Sequence, residues 1–274
     1  MAIDRQSLIA MVSDFGAIDN YVGVMKGVIF NLFPGARIAD ITHQIPPQNI
    51  LAAQFALATA VDYFPVGTVF LAVVDPGVGT TRRAIALRTE RYRFVGPDNG
   101  LFSTVLQGHR AIAAVQLDNP IYWRSPDPSA TFHGRDIFAP AAAHLAAGVP
   151  LESLGTAIAL ESLVSLAPPV PTPADQGGWL GEIQYVDRFG NLVTTFSGDW
   201  VGDRPWAIDL DTPERKPTAG GYIAGGQTYG DTEPGALIAL VGSHGWVEIA
   251  QNQGSAAISL ALTYGDRVRL VHDP

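Results

Sequence analysis

Between positions 168 and 173 the chain carries four prolines (Pro168, Pro169, Pro171, Pro173), and Gly177-Gly178 follow shortly after. Neither a helix nor a central strand runs through such a stretch, because proline lacks the backbone donor and clashes with the preceding turn. The hydrophobic pattern also changes across it. Before it, strand-like runs alternate with helix-like ones; beyond it the helical period disappears. With 274 residues, 47% of them hydrophobic and 16% charged, the chain has apolar material for two cores. The reading is an N-terminal α/β domain (residues 1–165), a semi-rigid Pro/Gly-rich linker (166–178) and a C-terminal all-β, barrel-like domain (179–274).

In the first part, apolar runs at 8–12, 37–41 and 68–74 read as strands. Tyr21, Val24, Met25, Val28, Ile29 and Leu32 mark one face of a helix that Pro34-Gly35 stops. Residues 50–64 are Ala-rich and helical by propensity. Residues 84–89 and 92–95 are expected to pair as a hairpin, 101–106 to form a short helix and 112–117 a strand. Residues 136–147 read as a helix with Asp136 as its N-cap. Alternating β and α elements imply a largely parallel sheet, whose strand ends are where ligands bind. Beyond the linker, 182–186, 191–196, 206–210, 237–241, 246–250, 257–262 and 267–271 read as strands.

Composition removes several classes of function. There is no cysteine, so thiolate catalysis and cysteine-ligated metal are excluded. A net charge of −9 without any basic cluster argues against nucleic acid. No apolar segment reaches membrane-spanning length and residues 1–6 are polar, so the expectation is a cytoplasmic protein with neither membrane nor export signal.

Three segments carry candidate chemistry. Asp14 lies just past the first strand, where a carboxylate can accept from both hydroxyls of a ribose; as residue types alone, Asp14 and Asp19 equally suit turns and helix caps. Asp75-Pro76-Gly77-Val78-Gly79 follows the third strand, and Arg82, seven residues on, can fold back to hold Asp75 ionised. Thr131-Phe132-His133-Gly134-Arg135-Asp136 places an approachable histidine before a helix. In the second domain, Phe189 can stack on a base while Asn191 matches the donor–acceptor edge of adenine. Asp14, Asp19, His43, Asp75, His133 and Asp136 are metal-ligating types, yet no metal-site spacing joins them, and no metal is expected.

Taken in order, Ser13-Asp14-Phe15-Gly16, Asp40-Ile41-Thr42-His43, Val74-Asp75-Pro76-Gly77-Val78-Gly79-Thr80, Gly96-Pro97-Asp98-Asn99-Gly100, Phe132-His133-Gly134-Arg135-Asp136, Asp187-Arg188-Phe189-Gly190-Asn191 and Asn252-Gln253-Gly254 resemble the S-adenosyl-L-methionine hydroxide adenosyltransferases. These are relatives of the fluorinating and chlorinating enzymes that act on the same substrate. The resemblance spans about residues 8–262. It implies an α/β domain followed by a β domain, and a homotrimer whose site lies between one subunit's N-terminal domain and its neighbour's C-terminal domain. The implied reaction is hydrolysis of S-adenosyl-L-methionine to adenosine and methionine, with no cofactor.

On this resemblance Asp75, Arg82 and His133 match the catalytic trio, and Asp14 would hold the ribose. Phe189 and Asn191 would contact adenine. Asp19, Phe132, Asp187, Ser243, Glu248 and Gln251 fall at or near further nucleoside or methionine contacts. The halogenating relatives place tyrosine where this chain has Asp75, serine where it has Gly134 and tryptophan where it has Gln48. A carboxylate repels halide but orients water, so hydroxide is favoured. The alternatives are a non-catalytic adenosine or S-adenosylmethionine binder, and a halide-using relative.

Overall fold

The computed structural model describes residues 8–175, 177–210 and 221–274, which leaves residues 1–7, Gln176 of the proposed linker and residues 211–220 outside the description. The chain divides into two compact units, Met1–Ala167 and Pro168–Pro274. Each has its own hydrophobic cluster.

The first unit is built on a six-stranded sheet. Its strands are β1 (Leu8–Ser13), β2 (Arg37–Thr42), β3 (Val69–Val73), β4 (Ala84–Thr89), β5 (Arg93–Pro97) and β6 (Ala111–Gln116), in the order β2-β1-β3-β5-β4-β6. The first four in that order are parallel, whereas β4 runs antiparallel to both β5 and β6. β1 and β3 are buried on both faces, which explains their continuous apolar runs. Ile9, Met11, Val69, Leu71 and Val73 face one way, into a cluster with Met25 and Ile29 of α1 (Tyr21–Leu32) and the alanines of α4 (Ala139–Ala146). Helix α2 (Ile50–Ala60) starts on Asn49, whose side chain accepts from the Ala52 N–H (3.0 Å), and it packs against α3 (Ser103–Gly108).

The second unit is an antiparallel sheet curled into a nearly closed barrel. Its strands are β7 (Thr172–Pro173), β8 (Trp179–Val186), β9 (Leu192–Ser197), β10 (Trp206–Asp209), β11 (Tyr222–Ala224), β12 (Leu237–Val241), β13 (Trp246–Gln251) and β14 (Arg267–His272). The order is β11-β10-β14-β8-β9-β13-β12, with β7 alongside β8, and a bridge between Gly225 and Ala239 brings the two ends together. Ile183, Leu192, Phe196, Ile208, Val247, Ile249, Val268 and Leu270 fill the interior.

One expectation is corrected. Residues 257–262 are not a strand: α5 (Ala256–Leu260) is a short helix, capped by Ser255 Oγ accepting from the Ile258 N–H (3.3 Å) and ended by Ala261 in the left-handed region. An apolar run this short is ambiguous by pattern, and the serine cap with Ala-rich propensity decided it. The Pro-rich segment is also tied down. The Leu166 N–H donates to Ser103 Oγ (2.9 Å), Gln54 Nε2 donates to the Leu166 carbonyl (2.9 Å), and Thr172–Pro173 pairs with β8.

Candidate active site

The sheet order creates the site. β1 has β2 on one side and β3 on the other, so the carboxyl ends of β1 and β3 form the switch point at which parallel sheets of this kind bind ligands. Asp14 follows β1 directly and Asp75 lies two residues beyond β3. Burial raises the Asp14 carboxyl above its ordinary value; the Gln48 N–H donated to Oδ2 (2.8 Å) opposes this, and the Asp75 charge adds to it. The Asp14 carboxylate accepts from backbone N–H groups and has lone pairs left for a further donor. Asp19 is exposed, and it is not the cap of α1: that position belongs to Asn20, whose side chain makes no capping bond.

Arg82 folds back onto Asp75. Its Nε donates to Oδ1 (2.7 Å), and its Nη2 donates both to Oδ2 and to His133 Nδ1 (2.9 Å). The Asp75 and Arg82 side chains are only 7% and 10% exposed, so the pair is little screened. Local turns make this fold: Val78 N–H to the Asp75 carbonyl (3.2 Å), Thr80 N–H to the Gly77 carbonyl (3.1 Å), and Arg82 N–H to Thr80 Oγ1 (3.3 Å). Gly79, at φ +75°, is required, because a Cβ there would come 2.3 Å from the Ala130 carbonyl oxygen. Its absence lets this loop touch the one that carries His133.

His133 precedes a π-helical turn, Gly134–Phe138, that continues into α4. The expected N-cap role of Asp136 is corrected here. The residue lies inside that turn, completely buried, and accepts from Arg124 Nε (2.6 Å), Arg135 Nε and Nη2 (2.7 Å each) and the Ser129 N–H (2.9 Å). Burial alone would raise its carboxyl, but these donors overcome burial and hold it far below the carboxylate range. A cap sits at a solvated helix mouth; two arginines converging on one carboxylate instead make a buried tie that fixes the His133 loop.

Burial lowers the His133 imidazole below its ordinary value, and the Arg82 charge lowers it further against the pull of Asp75 and Asp136. A guanidinium only donates, so Nδ1 is the acceptor and the proton of the neutral ring is on Nε2. Phe132 packs edge-on against Phe15 and Tyr21, with ring centroids 5.8 and 5.2 Å away, and Arg135 lies over its face.

In the barrel, Asp187 closes its own turn. Oδ1 accepts the Phe189 and Asn191 N–H groups (2.8 Å each), and Oδ2 accepts Asn191 Nδ2 (2.9 Å). Asn191 is buried and its backbone carbonyl accepts the Asp187 N–H (3.1 Å), whereas the Phe189 ring is 76% exposed. Glu248 is buried with both oxygens engaged, by Tyr229 Oη (2.6 Å) and His244 Nε2 (3.0 Å). Burial and the Glu248 hydrogen bond push the Tyr229 phenol well above its ordinary value. Gln251 bonds the Gly235 carbonyl (2.8 Å) and Ser259 Oγ (2.8 Å), and Ser243 is exposed in the turn before β13. Sequence reasoning missed Tyr229 altogether, because its partner lies 19 residues away and no motif links the two. It also missed the Gln48 backbone donor, which no side-chain pattern announces.

Comparison with known proteins adds a family. Residues 9–155 match the model described as the SAM hydroxide adenosyltransferase N-terminal domain, and residues 181–269 match its C-terminal domain. An (R)-S-adenosyl-L-methionine hydrolase of Salinispora tropica is 43% identical over 265 residues, covering 96% of this chain and 97% of that protein. A protein of the same name from Thermus thermophilus is 42% identical over 270 residues, 95% of this chain and 98% of that one. A fluorinase from an Actinoplanes species is 32% identical over 219 residues, 71% and 73% of the two chains. The crystal structure of an uncharacterized conserved protein from Thermotoga maritima superposes with a TM-score of 0.86 at 37% identity, over 96% of this chain and 100% of that one.

Proposed function

As the chain belongs to the SAM hydroxide adenosyltransferase family, we propose that it hydrolyses S-adenosyl-L-methionine, giving adenosine and L-methionine. Water attacks ribose C5′ in line with the sulfonium. The new C5′–O bond forms as the C5′–S bond breaks, the bonding pair leaves with sulfur as the neutral thioether of methionine, and one proton is released. A cationic leaving group needs no acid, so the protein must align the water and take its proton.

The observation that carries this reading is the arginine-held carboxylate beside a neutral histidine at the β1/β3 switch point. Each member has one role available to it. Arg82 stays charged and orients Asp75 through two bonds. His133 Nδ1 is occupied, which leaves Nε2–H to donate to the water oxygen. Asp75 keeps lone pairs beyond those given to Arg82 and is the group that receives the proton. Asp14 takes the ribose hydroxyls. Asp187 and Asn191, with Phe189, present the adenine contacts. Phe132 belongs to the pocket wall; Glu248 and Gln251 shape the surface on which Ser243 and the substrate meet.

Incubation with S-adenosylmethionine in ¹⁸O-water, with chelator and without halide, tests the reaction. Adenosine labelled at its 5′ oxygen is the expected product, and intact substrate refutes the reading. The reading extends to a cytoplasmic homotrimer without metal or cofactor. A monomer mass by light scattering, or activity abolished by chelator, refutes those parts.

A further inference from the structure

The Asp40-Ile41-Thr42-His43 segment takes no part in the reaction above, yet it is bonded to the loop that carries Asp14. His43 follows β2, with its side chain only 10% exposed. Its Nδ1 lies 2.7 Å from Ser13 Oγ and its Nε2 lies 3.0 Å from Asp40 Oδ1, while Lys26 Nζ donates to Asp40 Oδ2 (2.6 Å). The main chain joins in: the Gly16 N–H donates to the His43 carbonyl (2.7 Å), and the Gln48 N–H donates to Asp14 Oδ2 (2.8 Å). Residues 43–48 thus hold residues 13–16 just before Asp14, on Asp14 itself and two residues after it.

By residue type, serine, histidine and aspartate in series match a nucleophilic triad. Here the serine is 1% exposed, and its oxygen accepts from the Phe15 N–H (3.4 Å), so it is a buried structural hydroxyl. The loop needs such outside support, since α1 begins without a side-chain cap. Gln48 is itself held at φ +66°, a strained conformation for a non-glycine residue that persists only where its surroundings enforce it.

We infer that His43 is a positioning residue for Asp14: Asp40 accepts from Nε2–H, which leaves Nδ1 to accept the Ser13 hydroxyl and fix the turn that aims the Asp14 carboxylate. The inference rests on the reading of Asp14 as the ribose ligand. Two substitutions separate the contacts, because an asparagine amide reaches about as far as Nδ1 and a glutamine amide about as far as Nε2. His43→Gln, which keeps Asp40 and loses Ser13, is expected to weaken adenosine binding about five- to tenfold, the worth of one lost hydrogen bond. Affinity for 2′,3′-dideoxyadenosine should stay unchanged, and amide exchange at Gly16 and Gln48 should accelerate. His43→Asn should restore most of the loss, and in an Asp14→Ala background His43→Gln should add nothing. Equal weakening toward both nucleosides, or additivity with Asp14→Ala, overturns the inference. If the unmodified protein fails to prefer adenosine over its dideoxy analogue, the ribose role of Asp14 falls. Amide exchange then still decides the clamp, and unchanged protection of Gly16 in His43→Gln overturns it.

Discussion

In the N-terminal unit the polar groups of the site find their partners far along the chain: Arg82 reaches His133 across 51 positions, and Gln48 reaches Asp14 across 34. In the barrel two of the corresponding pairings are short-range, while Tyr229 reaches Glu248 across 19 positions. Asp187 bonds Phe189 and Asn191 within its own turn, and His244 bonds Glu248 four residues on. The first pattern needs the whole sheet before the site exists, and it leaves one carboxylate, Asp14, with lone pairs for a further donor and raised by burial. In the second, the site carboxylates Asp187 and Glu248 each have both oxygens occupied by neighbouring donors. On the proposed reading, reaction chemistry belongs to the first and contact surface to the second.

Asp75→Asn strikes that division hardest. The amide keeps the shape but cannot take a proton, and the Arg82 charge loses its counterpart. Adenosine formation in a single turnover should fall about 10²–10⁴-fold, the usual worth of a placed base. Adenosine affinity should hold within a few-fold. A loss of affinity as large as the loss of rate would merge the two regions' roles.

Glu248→Ala is the barrel's counterpart, with the opposite signature. It removes the acceptor of the Tyr229 hydroxyl and of His244 Nε2. Stability should drop by about 1.5–3 kcal/mol, the usual worth of hydrogen bonds to a carboxylate, seen as a lower urea midpoint. The single-turnover rate at saturating substrate should stay near its original value. A smaller effect is expected for Asp187→Ala, which removes an acceptor from the Phe189 and Asn191 N–H groups at the partly solvated turn. Adenosine binding should weaken by about 1 kcal/mol, with no change in the chemical step.

How much of this was legible in the sequence follows from the same contrast. Strand runs, the Asp75–Arg82 return and the Asp187–Asn191 turn are short-range facts, written in spacing and turn chemistry. The family motifs supplied the order of the site, since seven modest segments recur together. Asp136 was misplaced because its partner Arg124 lies outside the motif and only the folded loop brings it in. Residues 257–262 were misassigned because six apolar-rich residues fit either period, and the Ser255 cap was overlooked. Tyr229 left no mark, since its partner is set by tertiary contact alone.

The finest test of the division is pH. The His133 imidazole is lowered below its ordinary 6.5 by burial and then by Arg82, so as pH falls the unfolded chain takes up this proton first. Stability from His133 is therefore full above about 6.5 and is lost as pH falls from there through the folded value. Asp14 has the opposite sign: raised by burial, it costs stability as pH climbs from its ordinary 3.8 through the folded value. Urea unfolding of the protein and of His133→Gln, compared at pH 7.5 and 5.5, isolates the histidine. The other lowered histidine, His144, is common to both and cancels in the difference. The substituted protein should show the shallower acid loss. Turnover should fall over the same window, because a protonated Nδ1 becomes a donor facing the Arg82 donor and their bond is lost. An acid limb that persists unchanged in His133→Gln would belong to a carboxylate instead, and Asp75 alone would then hold the reaction's proton balance.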